Sequence, residues 1–410
     1  MGNTFLDKVT KSVIHGYSMN INKKMIKSNI PKIRFNNFKA FWVEKRIADI
    51  VKISAGGDVD KERLKESGKY PVIANALANK GIVGFYDDYK VKAPAVTVTG
   101  RGDVGYAVAR HENFTPVVRL LTLQSENIDV DYLENQINSM RILNESTGVP
   151  QLTAPQLGNY KVYHPEIEEQ SAIGSLFRTL DDLLVSYKDN LANYQSLKAT
   201  MLSKMFPKAG QTVPEIRLDG FEGEWELIKL GEVCDLITKG TTAKSQSEQG
   251  KVNFIKVENL KDNEIYSVVK ISEEEHLGSL KRSILFEGDI LFSIAGTLGR
   301  TAIVRNNVLP ANTNQALAII RGYKLDAYFL LVVLSGEVVK DYIRKNPTVG
   351  AQPNLSLEQV SSLKIQAPSI EEQRAIGLYF SNLDNLINSY QEKISQLETL
   401  KKKLLQDMFI

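Results

Sequence analysis

The feature that most constrains this chain is a long segment that occurs twice. Residues 165–206 read PEIEEQSAIGSLFRTLDDLLVSYKDNLANYQSLKATMLSKMF, and residues 368–409 read PSIEEQRAIGLYFSNLDNLINSYQEKISQLETLKKKLLQDMF. The two segments align without a gap, and nearly half of their positions are identical. Because internal repeats mark a structural unit that is used again, we expect the chain to contain two copies of one fold.

A second, shorter repeat precedes the long one in each copy. PKIRFNNFKAFW at 31–42 returns as PEIRLDGFEGEW at 214–225, and the only two tryptophans of the chain close the two segments. Each copy is therefore a mixed domain followed by a long segment. The predicted boundaries are 1–30 for a basic N-terminal extension, 31–164 and 214–367 for the mixed domains, 165–206 and 368–410 for the long segments, and 207–213 for a linker.

Each long segment predicts a helix with a coiled-coil seam, since apolar residues recur at alternating steps of three and four. A proline and two glutamates lie in each first turn, and Pro207 ends the first helix. About 40 residues at 1.5 Å each give a rod of roughly 60 Å. The predicted seam residues are Ile173, Leu176, Leu180, Leu183, Tyr187, Leu191 and Tyr194, and then Ile376, Tyr379, Leu383, Leu386, Tyr390, Ile394 and Leu397.

An amphipathic helix of this length has to bury its apolar stripe, and its duplicate is the available partner. Because a whole domain intervenes, the two helices can pair antiparallel, with the mixed domains at opposite ends. The alternative is that each helix packs only on its own domain.

The mixed domains are predicted to be rich in strands, because short apolar runs alternate with Asn, Gly and Asp. In the first domain the strand candidates lie in YPVIANALANKGIVGFYDDY, PAVTVTG, GYAVAR and PVVRLLTL, and in the second they lie in NFIKVENL, SILFEGDILFSIAG, RTAIVR and NQALAIIRG. Short helices are predicted in DVDYLENQINSMRI and LDAYFLLVVLSGEVVKDYIRK. The predicted fold class is α+β, with two strand-rich domains separated by two long helices that form an antiparallel coiled coil.

Composition and charge exclude several classes of protein. The lone cysteine, Cys234, forms no internal disulfide, and no run of 18 apolar residues or signal-peptide core occurs. We therefore expect a cytoplasmic protein without membrane contact. The net charge of +3 is concentrated in residues 1–30, which hold five lysines and one acidic residue, Asp7. A nucleic-acid surface must accordingly be a local basic cluster.

A glycine motif, Gly100-Arg-Gly-Asp-Val-Gly105, follows a predicted strand and has the spacing of a dinucleotide-binding loop. Such a loop needs a helix directly after its third glycine, but YAVARHENFTPVV alternates like a strand and meets Pro116. The second copy, IAGTLGRTAIV, keeps only Gly296 and Gly299. The shared pattern is strand, G-x-x-G, strand, which predicts a turn with positive backbone angles.

Catalytic signatures are otherwise absent from the sequence. There is no Walker A motif, no H-E-x-x-H, no G-x-S-x-G and no Asn-Pro-Pro-aromatic motif of an amino-methyltransferase. The four histidines, His15, His111, His164 and His276, lack metal-ligand spacing. We expect no catalytic residue, metal site or cofactor in this chain.

The loops contain side chains suited to base edges and phosphates. Arg and Lys read guanine, Asn and Gln read adenine, and Lys, Arg and Thr also hold phosphates. Their recurrence in loops taken as equivalent in the two copies favours a DNA interface. The candidate DNA-binding residues are Asn75, Asn79, Lys80 and Arg101 in the first copy, and Lys239, Thr241, Thr242, Lys244, Arg300, Asn312, Asn314 and Gln315 in the second.

Taken together, residues 31–410 resemble the specificity subunit of a type I restriction-modification enzyme. The resemblance rests on the repeated P-x-I-R-[FL]-x-x-F-x-x-x-W and P-x-I-E-E-Q-x-A-I-G segments and on the approach to the latter, GVPQLT at 148–153 and GAQPNLS at 350–356. The approach is degenerate in the first copy, and residues 1–30 fall outside the resemblance.

The resemblance implies that each mixed domain is a target recognition domain and that the paired helices act as a ruler. The chain would then be a non-catalytic subunit that reads a bipartite, asymmetric site in double-stranded DNA. Two modification subunits would supply S-adenosylmethionine-dependent DNA methylation, and restriction subunits would supply ATP- and Mg-dependent translocation and cleavage. The alternatives are a free-standing enzyme that binds a nucleotide or S-adenosylmethionine, and a coiled-coil scaffold without a DNA role.

Overall fold

A computed structural model of the chain describes residues 19–21, 29–140, 142, 150–208, 210–244, 250–266, 268–345 and 354–409. The chain divides into two compact units. The first unit comprises Met1–Asp189 and Glu392–Ile410, and the second comprises Asn190–Gln391. Most of the predicted N-terminal extension, with its five lysines, lies outside the described residues.

The first unit contains eleven strands and three short helices among its described residues, and the first long helix, α4, begins there. The elements are β1 Met19–Ile21, β2 Ile33–Phe35, β3 Val43–Arg46, α1 Ile47–Ile50, β4 Lys52–Ala55, β5 Tyr70–Ile73, β6 Ile82–Tyr86, β7 Ala95–Val98, β8 Ala107–Arg110, β9 Thr115–Pro116, β10 Leu121–Gln124, α2 Val130–Ser139, α3 Ala154–Asn159, β11 Lys161–His164 and α4 Ile167–Lys204.

The second unit repeats this plan with local additions, and the second long helix, α9, begins there. The elements are β12 Glu226–Lys229, β13 Cys234–Lys239, β14 Val252–Ile255, β15 Leu260–Lys261, β16 Glu264–Ile265, β17 Val269–Ile271, α5 Glu273–Leu277, β18 Ile290–Ser293, β19 Thr301–Ile303, β20 Ala311–Thr313, β21 Leu317–Tyr323, α6 Ala327–Ser335, α7 Glu337–Lys345, α8 Leu357–Ser361, β22 Lys364–Ala367 and α9 Ile370–Asp407.

The same sheets occur in both units. A four-stranded antiparallel sheet has the order β4-β10-β7-β8 in the first unit and β13-β21-β18-β19 in the second. A three-stranded sheet, β6-β5-β9 or β17-β14-β20, has one antiparallel and one parallel pair in each unit. A two-stranded ladder, β3–β11 or β12–β22, completes each copy. The predicted α+β class and the internal repeat are confirmed.

The two long helices pack antiparallel within each unit. In the first unit Lys401 pairs with Asp181 at 2.5 Å, and Lys188 pairs with Glu398 at 2.7 Å. Residue numbers therefore increase along one helix as they decrease along the other. In the second unit Lys198 pairs with Asp384, and the Tyr194 and Tyr390 rings lie 5.5 Å apart. The paired lysines and aspartates hold corresponding places in the repeat. The antiparallel pairing of the two predicted helices is confirmed.

The predicted seam is wrong by one step at Leu386, which is 41% exposed, whereas Ile387 is 8% exposed and faces the protein interior. Leu183 and Tyr379 are half-buried, and the adjacent Leu184 and Phe380 are buried more deeply. Leu176 is buried as predicted, beside the fully buried Phe177. From Ile173 onward the most deeply buried residues are separated by steps of four and then three, which follow the helical period of 3.6 residues. The sequence offered apolar residues at both neighbouring positions, so spacing alone did not choose between them.

An ion pair, buried in the first unit and partly buried in the second, ties the short repeat to the start of each long helix. The Arg34 guanidinium donates to both carboxylate oxygens of Glu169 at 2.6 Å, and the indole of Trp42 donates to the same carboxylate at 3.2 Å. In the second unit Arg217 donates to Glu372 at 2.9 and 2.7 Å. The arginine of the P-x-I-R motif and the second glutamate of the P-x-I-E-E-Q motif therefore form an ion pair in both copies.

The glutamine and glycine of the I-E-E-Q-x-A-I-G motif hold a second helix against the long one. Gln170 accepts the backbone N–H of Asp129, which caps the N-terminus of α2, at 3.2 Å. A Cβ at Gly174 would lie 3.0 Å from the backbone nitrogen of Tyr132 in that helix, so only glycine allows this approach. Gln373 and Gly377 make the same approach to Asp326 and α6. The glutamine and glycine of the motif thus pack against the N-terminus of α2 in the first unit and of α6 in the second.

Two predicted elements differ in detail. PVVRLLTL, predicted as one strand, is divided into β9 and β10 by Val118 and Arg119, which have φ of 48° and 60°. The chain leaves one sheet there and enters another. The predicted helix in LDAYFLLVVLSGEVVKDYIRK is divided into α6 and α7 at Gly336. No helix among the described residues is long and apolar enough to cross a membrane.

Glu134 lies on α2, and burial raises its pKa to about 7, with a smaller contribution from the Asp181 carboxylate. A carboxyl whose pKa is higher in the folded state takes up a proton on folding, so stability falls as pH rises from about 4.5 to about 7. The corresponding position of the second unit is Leu331, counted from the capping residues Asp129 and Asp326.

Replacing Glu169 with leucine should destabilise the first unit by about 3–5 kcal/mol, because Arg34 would remain buried without a counter-charge. The double variant Arg34→Met/Glu169→Leu should recover most of that loss. Urea unfolding followed by Trp42 fluorescence in a Trp225→Phe background measures both. The exposed Lys188→Ala is the control and should cost less than about 1 kcal/mol. Equal losses of stability in Glu169→Leu and in the control would contradict a stabilising role for the Arg34–Glu169 pair.

Glu134→Gln should raise the free energy of unfolding by about 1–3 kcal/mol at pH 8, where the buried carboxylate is charged. At pH 4.5 the folded wild type is already neutral at this position, and the difference should vanish. Thermal unfolding at the two pH values tests this, with the exposed Glu126→Gln as the control. A gain of the same size at both pH values would show that charge is not the cause.

Candidate nucleic-acid interface

The two glycine turns have the same hydrogen-bond network. The Thr99 hydroxyl donates to the Asp103 carbonyl at 2.5 Å and accepts the Tyr106 N–H at 2.9 Å. In the second unit the Ser293 hydroxyl donates to the Thr297 carbonyl at 2.6 Å and accepts the Arg300 N–H at 2.7 Å. A hydroxyl at the end of the first strand therefore closes each turn.

All four repeated glycines have positive φ, between 74° and 86°. Each turn joins two antiparallel strands, β7 to β8 and β18 to β19. A phosphate cradle of the dinucleotide type requires a helix N-terminus at this point, and a strand follows instead. The prediction of a strand-connecting turn is confirmed.

The segment that approaches the long helix also holds each turn in place. Leu152 donates its N–H to the Gly100 carbonyl at 2.8 Å, and Leu355 donates to the Ile294 carbonyl at 2.8 Å. Both leucines are buried. The first parts of the two approach segments, within 143–149 and 346–353, lie outside the described residues. The leucine of the approach motif thus anchors the turn to the domain core.

Asn75 is a clamp on the first glycine turn. Its amide oxygen accepts the N–H groups of Gly100 at 2.6 Å and Arg101 at 3.2 Å, and its amide nitrogen donates to the Arg101 carbonyl at 2.6 Å. These bonds use its amide within the protein. Asn75 can therefore act on DNA through the position of Arg101.

The other first-unit candidates are exposed. The Arg101 side chain projects from the glycine turn, and Asn79 and Lys80 form a turn with φ of 48° and 49°. The Lys80 carbonyl accepts from Arg110 at 2.7 Å, which fixes the backbone and leaves the ammonium group exposed. Burial lowers the pKa of Arg110 to about 10. Asn75 and Arg101 meet directly, and Lys80 belongs to the same β5–β6 connection as Asn75.

In the second unit, two candidate loops meet where β13 and β20 end. Thr241 donates its N–H to the Thr313 carbonyl at 2.9 Å, and the Thr242 hydroxyl donates to the Gln315 amide oxygen at 2.5 Å. Lys239 is exposed at the end of β13. The Asn314 side chain accepts the Ala316 N–H at 3.2 Å and supports the turn.

Lys244 and Arg300 are placed further along the second unit. The Lys244 N–H donates to the Glu275 carboxylate, and its ammonium group is exposed. The Arg300 guanidinium donates to the carbonyls of Val257 and Leu260 at 3.2 and 3.3 Å. Arg300 aligns with Tyr106 and not with Arg101, because Ser293 and Thr99 bond to those two residues.

The prediction that Asn312 contacts DNA is corrected by its burial. Asn312 is fully buried, and its amide nitrogen donates to the Leu280 carbonyl at 2.9 Å and the Ser283 hydroxyl at 3.2 Å. Its amide oxygen lies 2.5 Å from His276 Nδ1. Asn312 is a strand residue that faces the domain interior. Its place in PANTNQA resembled a polar loop because the segment begins with proline and contains two asparagines, a threonine and a glutamine.

Outside the two glycine turns, the candidate loops are not equivalent, contrary to the sequence interpretation. Asn75–Lys80 lie between β5 and β6, Thr241–Lys244 lie between β13 and β14, and Asn314 and Gln315 lie between β20 and β21. The sequence also passed over Val118 and Arg119, which form an exposed left-handed turn between β9 and β10. They were hidden because their letters read as one apolar strand.

The comparison with protein families gives a match on both copies. The model described as the type I restriction modification DNA specificity domain matches residues 39–193 and residues 222–399. The chain belongs to this family. Its two matched regions are called the first and second specificity domains below, and each carries one glycine turn.

Individual relatives give the same assignment. The type I restriction enzyme MjaVIII specificity subunit of Methanocaldococcus jannaschii is 26% identical over 64% of this chain and 64% of its own length. The putative MjaX specificity subunit of the same organism is 28% identical over 45% of each chain. The chain thus spans less than two-thirds of these two relatives. The putative specificity subunit S.MgeORF438P of Mycoplasma genitalium is 21% identical over 92% of this chain and 97% of its own.

A solved structure has the same fold. The S subunit of a type I restriction-modification system from M. genitalium superposes with a TM-score of 0.67, over 93% of this chain and 99% of its own, at 18% identity. At that identity the likeness concerns the fold alone.

Proposed function

We propose that this chain is the DNA-recognition subunit of a type I restriction-modification complex, in which each specificity domain reads one half of a bipartite site. The observation that carries the proposal is that one sheet with one anchored glycine turn occurs twice, while the exposed polar side chains around it differ. A common scaffold with different contact residues is what two unlike half-sites require.

The side chains support an asymmetric target. The first domain presents Lys80 and Arg101, and the second presents Lys239, Thr242 and Gln315. Arginine pairs best with the acceptor edge of guanine, whereas glutamine pairs with adenine. Domains with such different donor and acceptor sets would select different bases.

The long helices are suited to set the distance between the half-sites. Each runs unbroken for 38 residues, and each contributes to both compact units. Matching lysine–aspartate pairs, Asp181–Lys401 and Lys198–Asp384, fix the register of the helices within each unit. A rod of fixed register would keep the spacer between the half-sites constant.

We further propose the partners and chemistry that accompany this role. Two modification subunits would bind this chain and supply S-adenosylmethionine-dependent methylation, and restriction subunits would supply ATP- and Mg-dependent cleavage. The chain itself would be non-catalytic and cytoplasmic. A nucleotide-binding enzyme is disfavoured because the glycine motif connects two strands.

Alanine at the loop positions should affect one half-site at a time. Arg101→Ala and Lys80→Ala should relax the first half of the methylated motif, and Lys244→Ala and Arg300→Ala should affect the second half, at about 1–3 kcal/mol per lost base contact. Single-molecule sequencing of methylation in cells that express the complex measures both halves. If the wild type methylates no bipartite motif, or all four variants keep it unchanged, the assignment fails.

Removing one heptad from each long helix should shorten the spacer or abolish binding, while the sequences of both half-sites are retained. Seven residues correspond to about 10 Å of helix, or roughly three base pairs. The same sequencing reads the spacer directly. The matched control replaces the heptad with one of equal length and the same buried positions, and its spacer should equal that of the wild type. A spacer of unchanged length in the deletion variant would show that the long helices do not set the distance between the half-sites.

A further inference from the structure

The turn between β9 and β10 has a backbone that its residues disfavour. Val118 and Arg119 are consecutive and have φ of 48° and 60°. The left-handed region is uncommon for residues other than glycine and is a marked outlier for a β-branched valine. Val118 is also 48% exposed, so core packing does not explain its conformation. Backbone strain of this kind persists where the surrounding structure imposes it, often at functional sites.

The surrounding structure holds this turn from both sides. Val118 donates its N–H to the Gly57 carbonyl at 2.8 Å, and Gly56 donates to the Leu120 carbonyl at 2.8 Å. Val117 donates in turn to the Ile73 carbonyl at 2.8 Å. The turn is therefore clamped by backbone bonds on either flank, and it presents two exposed side chains in a fixed direction.

Arg119 is one of few arginines that have no side-chain partner among the residues that the structure describes. Most described arginines make a hydrogen bond or an ion pair, as Arg34 and Arg217 do. Among the described residues, those whose side chains make neither are Arg101, Arg119, Arg282 and Arg374, and all four are exposed. An exposed guanidinium without a partner in the protein keeps its five donors available for a ligand.

Two of these four arginines belong to adjoining turns. The Gly100 backbone approaches the Arg119 carbonyl so closely that a Cβ at Gly100 would lie 2.6 Å from that oxygen. Arg101 follows directly, and its backbone is held by Asn75. The anchored glycine turn and the left-handed turn thus lie side by side, and each carries an unpaired arginine.

The second domain has a different surface at the corresponding place. Gly240 donates to the Leu317 carbonyl at 3.1 Å as Gly56 does to Leu120, so Gln315 and Ala316 correspond to Val118 and Arg119. Arg101 corresponds to Ala295, from the shared glycine spacing. The second domain therefore presents Gln315 and no arginine at either position.

From these observations we infer that Arg119 is a specificity-determining residue of the first domain, which reads a guanine in its half-site beside Arg101. The inference rests on the proposed function and adds a residue and a base to it. A guanidinium fork on a backbone held in one place can match the O6 and N7 acceptors of guanine. A phosphate contact would carry no base preference and would strengthen binding to all sequences alike.

In the experiment, the full-length chain with its modification partner binds a library of duplex DNA that is randomised in the first half-site of the wild-type motif, and the bound sequences are read. Arg119→Ala should lose about 5- to 150-fold discrimination for guanine at one position, with the second half-site and spacer unchanged. Arg119→Lys should lose the same discrimination, because the ammonium keeps the charge without the fork. Arg282→Ala, another exposed and unpaired arginine, is the matched control and should leave the first half-site unchanged.

Arg119→Gly separates recognition from folding. Glycine adopts positive φ without strain, so the melting temperature should equal or exceed that of the wild type, while discrimination is lost as in Arg119→Ala. Uniform weakening across all sequences in Arg119→Ala, with full specificity in Arg119→Lys, would mean a phosphate contact and overturn the inference. So would an unchanged motif. A wild-type chain that selects no bipartite motif would instead overturn the proposed function.

Discussion

An arginine–glutamate pair with a buried carboxylate joins the beginning and the end of each domain. Arg34 and Glu169 are separated by a whole domain in the sequence, yet their charged groups meet at 2.6 Å with little exposure to solvent. Arg217 and Glu372 repeat the pair. A buried charge without its partner is strongly destabilising. The pair therefore favours a fold in which the opening segment of each domain lies against the first turn of a long helix.

That closure positions the rest of each domain. The same helix turn accepts the cap of α2 or α6 through Gln170 or Gln373, and the chain before it carries the leucine that anchors the glycine turn. The candidate DNA-binding residues are thus carried by segments that are tied to the long helices. A domain built in this way can change its exposed side chains without changing where they are held.

The sequence predicted the frame better than the surface. Repetition gave the two copies, the long helices and the glycine turns, because each of these depends on residues that recur. The seam failed at Leu386, where two adjacent apolar residues fit the period and only packing selects Ile387. The site list failed at Asn312, which is buried. It also passed over Arg119, because PVVRLLTL alternates like a strand and conceals a turn between two sheets.

By itself the sequence determined that one unit occurs twice, that each unit ends in a long amphipathic helix, and that a strand follows the glycine motif. These conclusions need only local periodicity and comparison of the chain with itself. Tertiary structure alone decided which polar residues are available to a ligand. Availability depends on what a side chain meets across the fold: Asn75 clamps a turn, Asn312 lies in the interior, and Arg101 and Arg119 meet no partner among the described residues.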